Sequence, residues 1–306
     1  MLIELKKGES FTNTPVILST IEIKQGRNGN SYADLSVMDK SAVVNAKMWN
    51  TSVCPYNKGD IVNISGKVDE FNGALQLILN EITDNSNAKV EDLLKSSLYD
   101  KDTLWSTINS LIVKIKDDDC RRLVENVFEK YKEKFENKPA AKTVHHNYLH
   151  GLLEHSCFVT INAVALAQNY SFINTDLLIT SALLHDIGKI EELTDMPSID
   201  YSVTGDLLGH IAIGTIMLSK EMDALGFAKD KHDKVIHCIL AHHGKLEYGS
   251  PKTPIIPEAM ILNLADDCDA KMKIFEEAIR NESKEKNFFL GAVPMSGKFE
   301  GELNFI

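Results

Sequence analysis

Cysteine is scarce. The 306 residues hold five, at Cys54, Cys120, Cys157, Cys238 and Cys268, with no CxxC pair among them. That excludes a disulfide framework and a thiolate zinc knuckle, and an odd, dispersed set reads as free thiols in a reducing cytoplasm. Long apolar runs are missing too. The longest near the middle, residues 177–184, is interrupted by Thr180 and Ser181 and falls far short of the roughly 20 residues that span a bilayer. The opening MLIELKKGES has no basic-then-apolar leader pattern. The expectation is a cytoplasmic protein with no membrane partner. Positive charge is in deficit: 33 Lys and Arg against 44 Asp and Glu give a net charge of −11. Taken alone, that argues against a nucleic-acid partner, because phosphate contacts need positive surface. No internal repeat or low-complexity tract is present. With 43% hydrophobic and 25% charged residues, the chain reads as ordinary globular protein of about two domains, at roughly 100–200 residues each.

What is present divides along the chain. Ser31–Met38 alternates, with Ala33, Leu35 and Val37 on one face and Tyr32, Asp34 and Ser36 on the other. Val43–Trp49 and residues 61–68 are similar runs, and Asn72-Gly73 before residues 75–79 is a hairpin signal. Five short strands in under 90 residues fit a small, partly closed barrel such as an OB-fold. An SH3-like barrel or an open meander fits the same pattern. Residues 83–87 read as a linker. The period then becomes helical at 90–98, 103–115 and 118–135, where Leu123, Val127, Tyr131 and Phe135 form a stripe that Pro139 ends. Helical patterning continues from Leu149 to about Arg280. The division expected is a barrel over 1–86, a helical connector over 87–138, a helical domain over 139–285 and a tail over 286–306.

Histidine is the exception to the scarcity, with ten copies clustered between His145 and His243. In Leu183-Leu184-His185-Asp186-Ile187-Gly188-Lys189 an apolar helix enters the core just where an imidazole and a carboxylate appear. Burying both without partners costs several kcal/mol, and a metal removes that cost. One such pair alone reads more readily as a satisfied core pair. Four other apolar helical runs end the same way, at His155, His210, His242-His243 and Asp266. Imidazole with carboxylate and no thiolate suits Mn, Fe, Co, Zn or Mg. Six or seven ligands exceed one ion and fit two, with Asp186 between them. Lys189, one turn past the doublet, is placed to hold a phosphate oxygen, and a solvated helix-end lysine is an equal alternative. Lys245 is similar. His145 and His146 are expected to line a nucleotide groove or to donate from behind the ligands, and Asp269 to support them.

His155, His185-Asp186 and Asp266, in that order, resemble the H…HD…D pattern of the HD superfamily of metal-dependent phosphohydrolases. His210 and His242-His243 resemble the additional ligands of its dinuclear, phosphodiesterase-like members. The resemblance implies an all-α HD-type domain. Two divalent ions, manganese first among the candidates, would be held by His155, His185, Asp186, His210, His242, His243 and Asp266. His185, Asp186 and Lys189 would act in catalysis, and the ions would activate a water and stabilise phosphoryl oxygens. A barrel before such a domain is similar to the YhaM-type 3′→5′ exoribonuclease family. His145-His146, Leu207-Leu208-Gly209-His210, His242-His243-Gly244-Lys245, Gly249-Ser250-Pro251-Lys252 and Asp269-Ala270-Lys271-Met272 carry that resemblance. It implies hydrolysis of single-stranded RNA, with DNA also open, to nucleoside 5′-monophosphates. Two departures are His150, where a small residue is expected, and the tail after Asn287.

Charge, taken by region, softens the first objection. Residues 1–88 carry eight Lys/Arg and ten Asp/Glu, so −9 of the net charge lies beyond them. Lys24, Arg27, Lys40, Lys47 and Lys58 outnumber Asp34 and Asp39 between positions 24 and 58, interleaved with Tyr32, Trp49 and Tyr56 and followed by Phe71. Single-strand binders combine such a basic groove with stacking rings. Tyr32, Lys47, Trp49 and Phe71, with His145, His146 and Lys245, are the expected nucleic-acid contacts. The alternative, slightly preferred for Trp49, is that Trp49 and Phe71 close the barrel core. Two other functions stay open. One is a phosphohydrolase of small nucleotides such as dNTPs, (p)ppGpp or cyclic dinucleotides. The other is a non-catalytic nucleic-acid-binding protein with a degenerate site. A homo-oligomer also stays open.

Overall fold

The computed structural model describes residues 1–26, 29–85, 88–142, 146–197, 199–280, 288–290 and 293–295. Five strands form the first part: β1 (Ser10–Gln25), β2 (Ser31–Met38), β3 (Val43–Trp49), β4 (Ile61–Phe71) and β5 (Ala74–Asp84). They close into a barrel in the order β1-β2-β3-β5-β4, with β4 returning to β1. Only the β3–β5 pairing is parallel. A five-stranded closed barrel with this crossover is the OB arrangement.

β2 matches its sequence pattern because one face is buried and the other is not: Ala33, Leu35 and Val37 point into the barrel. β1 hides its period because it serves two neighbours. Its first half pairs with β4 and its second with β2, with register shifts between Phe11 and Thr14 and between Leu18 and Thr20. Val16 and Leu18 enter the barrel core, while Ile17 between them is buried outward against Leu93 and Leu94. Three consecutive buried residues do not alternate. β5 runs on through Thr83 and Asp84, where a linker was expected, since both pair with β4.

The helical part comprises α1 (Val90–Leu93), α2 (Lys101–Ile112), α3 (Asp118–Asn137), α4 (Gly151–Ala167), α5 (Thr175–Leu184), α6 (Lys189–Glu192), α7 (Val203–Leu225), α8 (Lys229–Ala241) and α9 (Pro257–Arg280). A two-stranded pair comes last, β6 (Phe288–Leu290) and β7 (Val293–Met295). The expected helix over 90–98 is shorter, because Leu94 turns extended and caps α1. Asp100 and Asp117 cap α2 and α3 by accepting from Thr103 and Cys120 backbone N–H groups. α2 and α3, expected as a connector, share one core with the later helices. Trp105, Ile108, Phe128 and Phe135 pack in the same cluster as Leu152, Leu183 and Leu262.

α4 and α5 are apolar on nearly every face, the pattern of a wholly buried helix. α4 packs against α2, α3, α5 and α9. Buried polar groups on these two helices call for partners inside the protein, though the Ser156, Thr180 and Ser181 hydroxyls have no hydrogen-bond partner among the described residues. Met196, in the loop between α6 and α7, packs with Ile17, Leu93 and Leu94 and so touches the barrel side.

Candidate metal centre

The His and Asp side chains converge, although only His185-Asp186 and His242-His243 stand at helix ends, while His155 lies in the second turn of α4 and His210 and Asp266 lie inside α7 and α9. His155 comes from α4, His185 and Asp186 from the end of α5, His210 from α7, His242 and His243 from the end of α8, and Asp266 from α9. Asp186 lies at the middle, and its two oxygens face different sets. Oδ2 is 3.4 Å from Nε2 of both His155 and His185, and Asp266 Oδ1 lies 3.2 Å from His155 Nε2. Oδ1 is 3.5 Å from His210 Nε2 and 3.6 Å from His242 Nε2. His210, His242 and His243 bring one ligand atom each within metal-chelating reach of one another.

Every imidazole is fixed by its other nitrogen. Nδ1 of His185 and His242 meets the Ala182 and Ile239 carbonyls at 2.8 and 2.7 Å. Nδ1 of His243 meets the Tyr248 carbonyl at 3.3 Å, that of His155 meets Asp269 at 2.7 Å, and that of His210 meets Glu192 at 3.0 Å. Each acceptor needs a proton on Nδ1, so that in the neutral ring Nε2 carries a lone pair aimed at the centre.

The interior is short of a cation. Asp186 Oδ1, His210 Nε2 and His242 Nε2 are buried and have no hydrogen-bond partner among the described residues. His155 Nε2 and His185 Nε2 face each other at 3.2 Å. These donors fit divalent metal in number, type and deficit. Electrostatics point the same way. Burial pushes the His243 imidazole down to about 4, assisted by His242 and His210, and burial also lowers His242. Both are neutral at neutral pH, as ligands must be. Burial opposes a charge on His155, but Asp186, Asp266 and Asp269 outweigh it and draw a proton onto the ring. The same carboxylates would draw a metal ion, which displaces that proton. Asp186 and Asp266 are held well below the usual carboxylate range despite burial, the first by Lys189 and His185, the second by His155 and the other imidazoles.

Gly209 delivers His210. Its backbone has φ 72° and ψ 156° inside α7, a region open essentially to glycine alone. The helix breaks there and restarts at His210. α6 lies close by: a Cβ on Gly188 would stand 2.0 Å from the His210 carbonyl oxygen.

Lys189 is mostly buried, its side chain 12% exposed, and its Nζ lies 2.6 Å from Asp186 Oδ2, so it is no solvated helix end. Lys245 is exposed, 5.0 Å from the Tyr248 ring centre and 3.5 Å from Glu247. His146 does not line a groove. It is fully buried, with Nε2 2.9 Å from Asp269 and Nδ1 2.8 Å from the Tyr148 hydroxyl, because the chain folds back to bond the His146 carbonyl to Ala140 N–H. Of the two readings given to it, the groove one is corrected and the position behind the ligands remains. His145 and Arg27 lie outside the described residues. His150 takes a left-handed backbone at the start of α4, φ 66°, and its ring bonds the Glu136 carbonyl. A left-handed backbone explains why a small residue is expected at this position, and His is among the larger residues that tolerate it.

On the barrel, Lys47 sits within 5.5 Å of three ring centres, those of Tyr32, Trp49 and Phe71. Tyr32 and Trp49 pair across β2 and β3 with centres 4.8 Å apart. Trp49 is 48% and Phe71 60% exposed, so the rings do not close the core. Lys24, part of the local positive excess, is paired with Glu22 and Asp34.

Residues that the sequence reading passed over are Glu192, Tyr148, Glu154 and Lys273. The last three join His146 in a buried network, with Tyr148 Oη 2.9 Å and Lys273 Nζ 2.7 Å from Glu154. Glu192 and Glu154 lie beside apolar or charged neighbours without a periodic cue. Their burial comes from tertiary packing.

Fold and site together define an HD-type helical metal centre joined to an OB-type barrel. The HD domain family matches residues 152–271, and the helicase family TraI_2 matches residues 98–204. The chain is 35% identical over 258 residues to 3′-5′ exoribonuclease YhaM of Bacillus velezensis, covering 82% of each chain. It is 30% identical over 286 residues to 3′-5′ exoribonuclease YhaM of Listeria welshimeri, covering 92% of this chain and 91% of the relative. The second OB-fold domain of replication protein A from Methanococcus maripaludis covers 29% of this chain and 96% of its own at 19% identity, with a TM-score of 0.25, too low to carry an argument. The chain belongs to the YhaM family of 3′-5′ exoribonucleases.

Proposed function

We propose that this protein is a metal-dependent 3′→5′ exonuclease that shortens single-stranded RNA and releases nucleoside 5′-monophosphates. The observation that carries the reading is the division of Asp186 between two sets of imidazoles. In this reading His155, His185 and Asp266 would hold one divalent ion together with Asp186, and His210, His242 and His243 would hold the other, Asp186 serving both. Manganese is our choice among the ions that suit imidazole and carboxylate. Bound metal supplies an acidified attacking water and charge stabilisation at the phosphoryl oxygens.

The remaining work belongs to the chain. The Nδ1 acceptors hold each ring in the tautomer that ligation needs. Lys189 places a mostly buried positive charge beside Asp186, where a phosphate oxygen of the substrate can meet it. On the barrel, the exposed rings of Trp49 and Phe71 and the half-buried ring of Tyr32 offer stacking faces and Lys47 a phosphate contact. A small nucleotide would leave that ring cluster without a task. The scattered cysteines, all free thiols, suit a reducing cytoplasm.

Incubation of 5′-labelled single-stranded RNA with the manganese-loaded protein tests the reading. A ladder shortening from the 3′ end, with mononucleotides as the other product, is expected, and His185→Ala should abolish it. Intact RNA alongside turnover of dNTPs or cyclic dinucleotides would refute it.

A further inference from the structure

Glu192 closes α6 and is 8% exposed. Its Oε1 accepts twice from His210, from the backbone N–H at 2.8 Å and from Nδ1 at 3.0 Å. The first bond caps the helix segment that restarts after Gly209, and the second orients the ring. Close packing holds the carboxylate there. Glu192 carbonyl accepts from Ser202 N–H, and a Cβ on Gly205 would stand 2.2 Å from that same oxygen. Asp269 has the matching place on the other side, behind His155. His185 and His242 rest on backbone carbonyls. Each half of the centre thus has one imidazole backed by a carboxylate, the others being backed by the main chain: His185 in one half, His242 and His243 in the other.

We infer that Glu192 is the positioning residue of the half built from Asp186 Oδ1, His210, His242 and His243, and that it sets metal affinity there independently of the half around His155. The inference rests on the two-ion reading of the centre. A carboxylate behind a ligating imidazole fixes its tautomer and raises its basicity, and losing one costs about 10–100-fold in metal affinity. Among the donors, Glu192 bonds to His210, so the loss falls on one ion.

The test is a manganese titration of the full chain after chelator treatment, with free ion read by electron paramagnetic resonance. The proteins are wild type, Glu192→Ala, Glu192→Gln and Asp269→Asn. Wild type should take up two ions. Glu192→Ala should keep one at wild-type affinity and weaken the other about 10–100-fold. Glu192→Gln keeps an acceptor oxygen for His210 but loses the charge, so it should weaken the same ion by less. It also carries the comparison if the Ala variant does not fold. Asp269→Asn should weaken the other ion. Two unchanged affinities in the folded Glu192 variants, or equal weakening of both ions, would overturn the inference and leave the two-ion reading standing. A wild-type chain that saturates at one ion would refute the two-ion reading and the inference with it.

Discussion

Asp186 Oδ1 and His210 Nε2 lie 3.5 Å apart in the interior, and neither has a hydrogen-bond partner among the described residues. His210 Nδ1 donates to Glu192, so the facing nitrogen is a lone pair. A carboxylate oxygen and a lone pair repel at that distance. His242 Nε2, 3.6 Å from the same oxygen, adds a third acceptor. Each buried polar atom left unsatisfied costs about 1–3 kcal/mol. A cation relieves all three at once.

Asp186→Asn is the sharpest substitution at this point. The amide offers one oxygen and one NH2 group, so it cannot serve two sets of donors, and it leaves Lys189 without its ion-pair partner. Single-turnover cleavage should fall by about 1,000-fold or more, equivalent to about 4 kcal/mol. Cleavage within about tenfold of wild type would remove Asp186 from the centre of the account.

Gly209→Ala should damage one half of the centre without touching a ligand. A Cβ at φ 72° and ψ 156° costs about 1–3 kcal/mol. The segment relieves that strain by turning His210 away. A lower melting temperature is expected together with loss of one bound ion. An unchanged melt and two bound ions would contradict the role given to the break.

Much of the centre could be read in the sequence because each ligand follows a short apolar stretch, which signals a polar group carried inward, although His155, His210 and Asp266 lie within their helices rather than at the ends. The structure brings His155, His185, Asp186, His210, His242, His243 and Asp266 together. What supports them was not legible. Glu192 lies in a run of Lys and Glu that reads as a solvated turn, and only the approach of α6 to α7 buries it. His146 reads equally as a groove residue or as a donor behind the ligands, and only the fold-back of the chain buries it against Asp269. Trp49 carries no sign of which side of β3 faces out, since that depends on barrel closure. β1 could not be placed because its two register shifts break the alternation.

The centre should also appear in acid stability. His243 is held near 4 against an ordinary 6.5, chiefly by burial. Between these values the unfolded chain takes up a proton that the folded ring refuses, so stability rises with pH. In the chelated protein the contribution of His243 is full above pH 6.5 and is lost as pH falls toward 4. His243→Gln should show a shallower loss than wild type over that window in urea unfolding. Parallel curves would contradict the assignment.

The barrel cluster predicts a separable defect. Trp49 is nearly half exposed, so Trp49→Ala should leave the fold unchanged. Loss of one stacking face should weaken single-stranded RNA binding by about 1–3 kcal/mol. Lys47→Ala should weaken it too and reduce its salt dependence. Fluorescence anisotropy of a labelled oligonucleotide at two salt concentrations reads both effects. Wild-type affinity in both variants would move the strand elsewhere on the surface.

The central claim is that one carboxylate joins two half-sites. Anomalous diffraction at the manganese edge, from crystals of the loaded protein, tests it most directly. The account predicts two peaks flanking Asp186, one among His155, His185 and Asp266 and the other among His210, His242 and His243. A single peak, or peaks on other residues, would contradict it.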